Sequence, residues 1–225
     1  MTGSIDAGLE QYLAGFLTPE RRARIEAVLG QRTRRLAVVL EDVFQAHNAS
    51  AILRTCDALG LQDVHVVEAR NRYRTNPQVD LGASRWLTVH RHASLDACLT
   101  ALRQQGYRLL AASPHAQGQA PEEVDVTSPT AVLMGTEEQG LSSAALAAVD
   151  GCVRVPMYGF TESLNVSVCA ALILRELGRR LRQQPSAWRL SGSEQAALRL
   201  EWYRRSIRGA DLIVARRAAD AAAPP

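Results

Sequence analysis

The chain has 225 residues, 47% of them hydrophobic, enough for one domain with extensions or at most two small ones around a packed core, and far from a disordered composition. No apolar run approaches the roughly 20 residues that cross a bilayer. The formal net charge is +3, but it is unevenly placed: residues 1–35 carry six arginines and four acids, 36–174 nine and fourteen, and 175–225 eleven and five. Basic ends on an acidic middle are a distribution that draws phosphate to the ends.

In chain order, Met1 to Gly15 lacks a basic start followed by an apolar block. No signal peptide is expected, and cytoplasmic residence follows. Thr18-Pro19-Glu20 reads as an N-cap, a proline at the first helical position and an acid in the first turn of a helix ending at Gly30. Its Arg21, Arg22 and Arg24, with Arg32, Arg34 and Arg35 beyond, form a basic cluster suited to a solvated face or to RNA.

Leu36 to Leu40 is a continuous apolar run, the pattern of a strand buried on both faces of a parallel sheet. A helix follows His47-Asn48-Ala49-Ser50 and ends at Gly60. Further strands are expected at Val64–Val67, Leu87–Val89, Arg108–Ala112, Ala131–Met134 and from Cys152 through Val155. A basic loop with Arg70, Arg72 and Arg74 runs from Ala69 to Leu81. Helices are expected near Ser94–Gln105, Ser143–Ala148, Asn165–Gln183 and Ser193–Ile207. Alternating strands and helices predict a mostly parallel α/β sheet with helices on both faces, flanked by N- and C-terminal helical extensions. The boundaries are 1–35, 36–182, 183–217 and a disordered Ala- and Pro-rich tail, 218–225. Trp202 and Tyr203, interleaved with Arg199, Arg204 and Arg205, suit RNA stacking or a partner subunit equally.

Cys56, Cys98, Cys152 and Cys169 lie in apolar contexts without Cys-x-x-Cys spacing, and no histidine pair completes a zinc pattern. Reduced core cysteines and no metal are expected. A Gly-x-Gly-x-x-Gly fingerprint and a P-loop are both missing, which argues against a nicotinamide or nucleoside-triphosphate enzyme. The most informative stretch runs from Val153 to Ser167: a short strand, a polar loop holding Gly159, Thr161, Ser163 and Asn165, and then a long helix. Such a loop at the carboxyl end of a sheet is where α/β proteins place ligands, although Ser163 or Asn165 also reads as a plain helix cap.

Three stretches together carry a resemblance. They are Asn48-Ala49-Ser50-Ala51-Ile52-Leu53-Arg54-Thr55, Leu133-Met134-Gly135-Thr136-Glu137-Glu138-Gln139-Gly140-Leu141, and Val155-Pro156-Met157 through Ser163-Leu164-Asn165-Val166-Ser167. In this order they resemble the three motifs of the SpoU/TrmH family of SPOUT RNA methyltransferases, over about residues 36–182. The resemblance implies S-adenosylmethionine as donor, a C-terminal deep trefoil knot and a homodimer with its site near the subunit interface. The segment from Thr18 through the arginine helix resembles the extension of the tRNA-acting members. That implies tRNA as partner and the 2′-hydroxyl of guanosine 18 in the D-loop as acceptor. Ribosomal RNA, another tRNA position, or a non-catalytic RNA-binding protein of the same fold are the alternatives.

By the same resemblance Arg54 is the catalytic arginine, acting with Asn48, Ser163 and Asn165. A ribose hydroxyl is a very weak acid, so the protein must stabilise its developing oxyanion or help remove its proton. An arginine is charged at any physiological pH, which favours positioning of phosphate and oxyanion over a literal base role. Cofactor binding is assigned to Ser113, Gly135, Glu138, Gly140, Val155, Pro156, Met157 and Leu164. RNA binding is assigned to Arg21, Arg22, His47 and Arg175.

Overall fold

The computed structural model describes residues 7–43, 45–68, 73–114, 117–185 and 188–222. In chain order its elements are α1 (Ala7–Ala14), α2 (Pro19–Leu29), β1 (Leu36–Glu41), α3 (Ala46–Ala58), β2 (Asp63–Val67), α4 (Pro77–Asp80), a 3-10 turn (Ala83–Trp86), β3 (Thr88–His92), α5 (Leu95–Gln104), β4 (Arg108–Ala112), β5 (Thr130–Met134), α6 (Ser143–Ala148), β6 (Gly151–Val153), α7 (Val166–Gln183), α8 (Gly192–Ser206) and α9 (Ala210–Ala222). The six strands form one sheet in the order β3-β2-β1-β5-β4-β6, and every pairing is parallel. All six residues of β1 are buried, as its unbroken apolar run predicts for a strand covered on both faces.

Alternation along the strands divides the core in two. Val38, Leu40, Val64, Val66, Val132 and Met134 point to one face, where Ile52 and Leu53 of α3 and Ile173, Leu174 and Leu177 of α7 cover them. Ala37, Val39, Ala131 and Leu133 point to the other, against Cys98, Leu99 and Leu102 of α5 and Ala145 of α6. Each large side chain buried this way contributes roughly 1.5–3 kcal/mol.

The chain divides after Arg32 and again after Trp188 into two compact units. The sheet lies in the middle unit. The second unit is built from both ends of the chain, with α1 and α2 packed on α8, and α9 against α8 as well. Thr18 caps α2, accepting a hydrogen bond from the Arg21 N–H at 3.2 Å, and Pro19 opens the helix as the sequence predicts. Ser191 and Glu194 form a reciprocal capping box on α8.

Several expectations are corrected. Trp202 is 1% exposed and lies under the Arg32 guanidinium at 5.2 Å, and Tyr203 is buried too. Both serve the core of their own helical unit, so neither offers a stacking face to RNA or to a partner. Arg199 is likewise engaged, with Glu26 at 2.6 and 2.9 Å and Glu10 at 3.6 Å. The expected disordered tail is helical to Ala222, because alanine is the best helix former. Residues 223–225 lie outside the described residues.

The expected loop before Leu81 contains α4, whose Asn76 cap accepts from the Gln78 N–H at 3.0 Å. Arg70, Arg72, Phe44 and His115 lie outside the described residues. Helix α3 starts at Ala46, so Asn48 sits inside its first turn and is not its cap. Strand β6 ends at Val153, which leaves Val155 in the loop.

Candidate active site

Strands β4, β5 and β6 end side by side, and the loops leaving them enclose a cavity of about 280 Å³. Seven of the residues expected to bind cofactor line it: Ser113, Gly135, Glu138, Gly140, Val155, Met157 and Leu164, with Ser163 beside them. Pro156 does not; it is exposed. Met134, Val153, Val166 and Cys169 add apolar wall that the sequence reading did not single out. Burial raises the Cys169 thiol, so it stays protonated and serves as apolar wall.

The glycines are there for close approach. Thr136 and Gly140 exchange backbone hydrogen bonds at 3.1 and 2.9 Å, folding the loop back on itself. A Cβ on Gly135 would lie 2.2 Å from the carbonyl carbon and oxygen of Gly140, and Gly140 itself has φ +65°. The far end of this loop is fixed by Glu41 at the end of β1. Its buried carboxylate accepts from the Ser142 N–H at 2.9 Å and the Ser142 hydroxyl at 2.6 Å. Ser142 in turn caps α6. The neighbouring Asp42 takes φ +51°, a left-handed conformation for a non-glycine residue where the chain turns from β1 towards α3.

A polar network joins the three motif stretches beside this cavity. The Asn165 side-chain amide donates to Asn48 Oδ1 at 3.1 Å and to Glu137 Oε1. Asn165 Oδ1 accepts from the N–H and hydroxyl of Ser167 at 2.9 and 2.6 Å, which caps α7. Asn48 is buried and donates to Gln45 Oε1 at 2.7 Å. Cap and contact are thus the same side chain: Asn165 does both. Glu137 is the member that sequence reasoning missed. Two adjacent acids, Glu137 and Glu138, cannot be told apart without knowing how the turn points them. The network lies where the loops after β1 and β5 meet, at the reversal of strand order that α/β sheets use for ligands.

Other expected site residues are not brought here. Arg54 is exposed on α3, does not line the cavity, and makes no hydrogen bond or ion pair among the described residues. His47 is exposed one residue before Asn48. Arg175 is exposed on α7. Its neighbours there are engaged: Arg179 pairs with Glu176, Arg180 binds the Pro121 and Val124 carbonyls, and Arg182 donates to the Leu59 carbonyl at 2.7 Å. Arg21 and Arg22 are exposed on α2, in the other unit.

A parallel sheet with a glycine-folded cavity at its strand ends and a polar network joining three loops is an α/β ligand site of defined kind. The model of the SpoU rRNA methylase family matches residues 35–175, and the chain belongs to that family. It is 40% identical over 201 residues to the tRNA (guanosine(18)-2′-O)-methyltransferase of Borreliella burgdorferi, covering 89% of this chain and 92% of that protein. The solved TrmH/SpoU tRNA modifying enzyme of A. aeolicus superposes with a TM-score of 0.75 at 30% identity, over 84% of this chain and 98% of that one. The SpoU methyltransferase AviRb of Streptomyces viridochromogenes, solved in complex with AdoMet, superposes with a TM-score of 0.61 at 26% identity, over 69% and 64%. The fold is that of the SpoU/TrmH methyltransferases.

Proposed function

We propose that this protein transfers a methyl group from S-adenosylmethionine to the ribose 2′-hydroxyl of guanosine 18 in the D-loop of tRNA. The observation that carries the reading is the Asn48–Asn165–Glu137 network set against the glycine-folded cavity. The name of the Borreliella burgdorferi relative supports the choice of acceptor. The family description names ribosomal RNA instead, and that is the second reading. Cytoplasmic residence fits a tRNA substrate, and no helix among the described residues is long and apolar enough to cross a membrane.

The cavity suits the cofactor in kind. The Gly135–Gly140 loop, folded tightly on itself, lines the cavity, and apolar walls from Met157, Leu164 and Val155 fit an adenosine. Bound there, S-adenosylmethionine supplies an activated methyl sulfonium. Ser113 and Glu138 offer hydrogen-bonding groups to its polar end. Asn48 and Asn165 fix the loop after β1 against the loop before α7 and hold the ribose in line. Arg54 binds the adjacent phosphate and stabilises the oxyanion that develops as the hydroxyl proton leaves. His47, Arg175, Arg21 and Arg22 contact RNA.

Arg54 does not line the cavity of its own chain, and in this reading it serves the cavity of a second copy. Support for a homodimer comes from Val168 and Leu172, one turn apart and exposed on α7. A trefoil knot is part of the same reading. Its support is the segment between β4 and β5, where Val124 and Val126 pack into the same core cluster as Ile173 and Leu174 while Arg180 binds the Val124 carbonyl.

The test uses tritium-labelled donor with unmodified tRNA and ribosomal RNA transcripts, and the labelled nucleotide is mapped. Label at guanosine 18 is expected and should vanish from a transcript carrying a 2′-deoxy sugar at that position. Label confined to ribosomal RNA would replace the reading with the second one. Cofactor binding without transfer to any RNA would reject catalysis.

A further inference from the structure

On the face of the sheet covered by α5, three side chains from separate elements converge. His65 of β2, His92 of β3 and Cys98 of α5 each bring one ligand atom to within 4.8 Å of the others. His65 Nδ1 and His92 Nε2 are 3.0 Å apart. His65 and Cys98 are buried, and His92 is half-buried at the edge strand, which leaves a route in from solvent. Nothing in the methyl-transfer site uses these residues.

We propose that this cluster is a binding site for a thiophilic divalent cation of the zinc class, which would tie the edge strand β3 and helix α5 to β2. The donor set of two imidazoles and one thiolate, with a fourth position left for water, is a zinc pattern. Two bonds of about 2.0–2.1 Å at a tetrahedral angle put the nitrogens roughly 3.3 Å apart and nitrogen to sulfur about 3.6 Å. The imidazoles are already near that spacing, and the sulfur must close by a side-chain rotation. A cysteine thiol is protonated near neutral pH. Binding near neutral pH therefore expels that thiol proton to solvent. The proton now shared between His65 and His92 moves to the far nitrogen of its ring and is not lost. Beside the cluster the His90 ring stacks on His65 at 4.5 Å, and His90 Nε2 lies 3.0 Å from Asp63 Oδ1.

Sequence spacing hides the cluster, because its ligands come from three elements that only the sheet register brings together. The experiment titrates the untagged, chelator-treated full-length protein with cobalt(II) and then with zinc. One equivalent of cobalt should give the d–d bands of a tetrahedral site together with a thiolate-to-cobalt charge-transfer band. Zinc should displace it, release one proton per site near neutral pH, and raise Tm. His92→Gln, at the half-buried position, should keep the fold by circular dichroism and lose the Tm response to zinc. Cys98→Ser should lose the charge-transfer band and the proton release, and Cys169→Ser should keep both. A missing charge-transfer band in the wild type, or one that persists in Cys98→Ser, would overturn the proposal, as would an unchanged zinc response in a folded His92→Gln.

Discussion

Asn165 does two jobs that substitution can separate. Its Oδ1 caps α7 and its Nδ2 holds Asn48 and Glu137. Serine keeps a capping oxygen and cannot bridge. Asn165→Ser should therefore cost at most about 1–3 kcal/mol, the range for leaving the buried Asn48 oxygen unpaired. Its methyl-transfer rate should fall at least roughly tenfold if the bridge positions the reacting groups. Thermal melts and single-turnover rates measured on the same preparation check both, and a full rate with a lowered Tm would make the residue a cap and nothing more. Glu137 and Glu138 offer a second comparison. Both border the cavity, but Glu137 binds the network. Glu137→Gln should slow single-turnover transfer more than Glu138→Gln does, and equal losses would count against a positioning role for Glu137.

At the scale of elements, the Gly135–Ser142 loop is folded by its own backbone and anchored by Glu41. A methyl group at residue 135 has to displace the Gly140 backbone. Gly135→Ala should lower cofactor affinity at least roughly tenfold, about 1.4 kcal/mol, while the sheet core is left intact. Calorimetric titration with S-adenosylhomocysteine reads this out, and wild-type affinity would mean the loop does not shape the pocket.

The sequence was legible where the physics is local. Leu36–Leu40 and Ala131–Met134 announce buried strands, and Thr18-Pro19 announces a helix start, because apolar runs and caps act over a few residues. Helix α4 was missed although Asn76-Pro77 carries the same kind of signal, since four residues give no periodicity to read. The order of strands, the choice between Glu137 and Glu138, and the meeting of His65 with Cys98 depend on register and crossover. Neither of those is written in any short stretch.

For the whole molecule, the polarised charge divides unevenly once packing is known. Arg199, Arg179, Arg180 and Arg182 are spent on ion pairs or carbonyls, while Arg54, Arg22 and Arg175 remain exposed. If Arg54 serves a second copy, two inactive proteins should rescue each other. Arg54→Ala supplies an intact cavity and Leu164→Glu supplies an intact arginine. Mixed before refolding or co-expressed, they should regain up to about a quarter of wild-type activity, since half of the dimers are mixed and each has one complete site. A mixture as inactive as its parents would place Arg54 and the cavity within one chain.

The helical unit draws its parts from opposite ends of the chain, and this bears on synthesis. Leu13, Ile25 and Leu29, buried in the finished protein, leave the ribosome long before α8 exists to cover them. The whole sheet can form in that interval. A chain released at Trp188 should therefore keep a folded middle with a sticky leader, prone to clump or to enlist a chaperone. The last helices to be made thus act as a seal on the first.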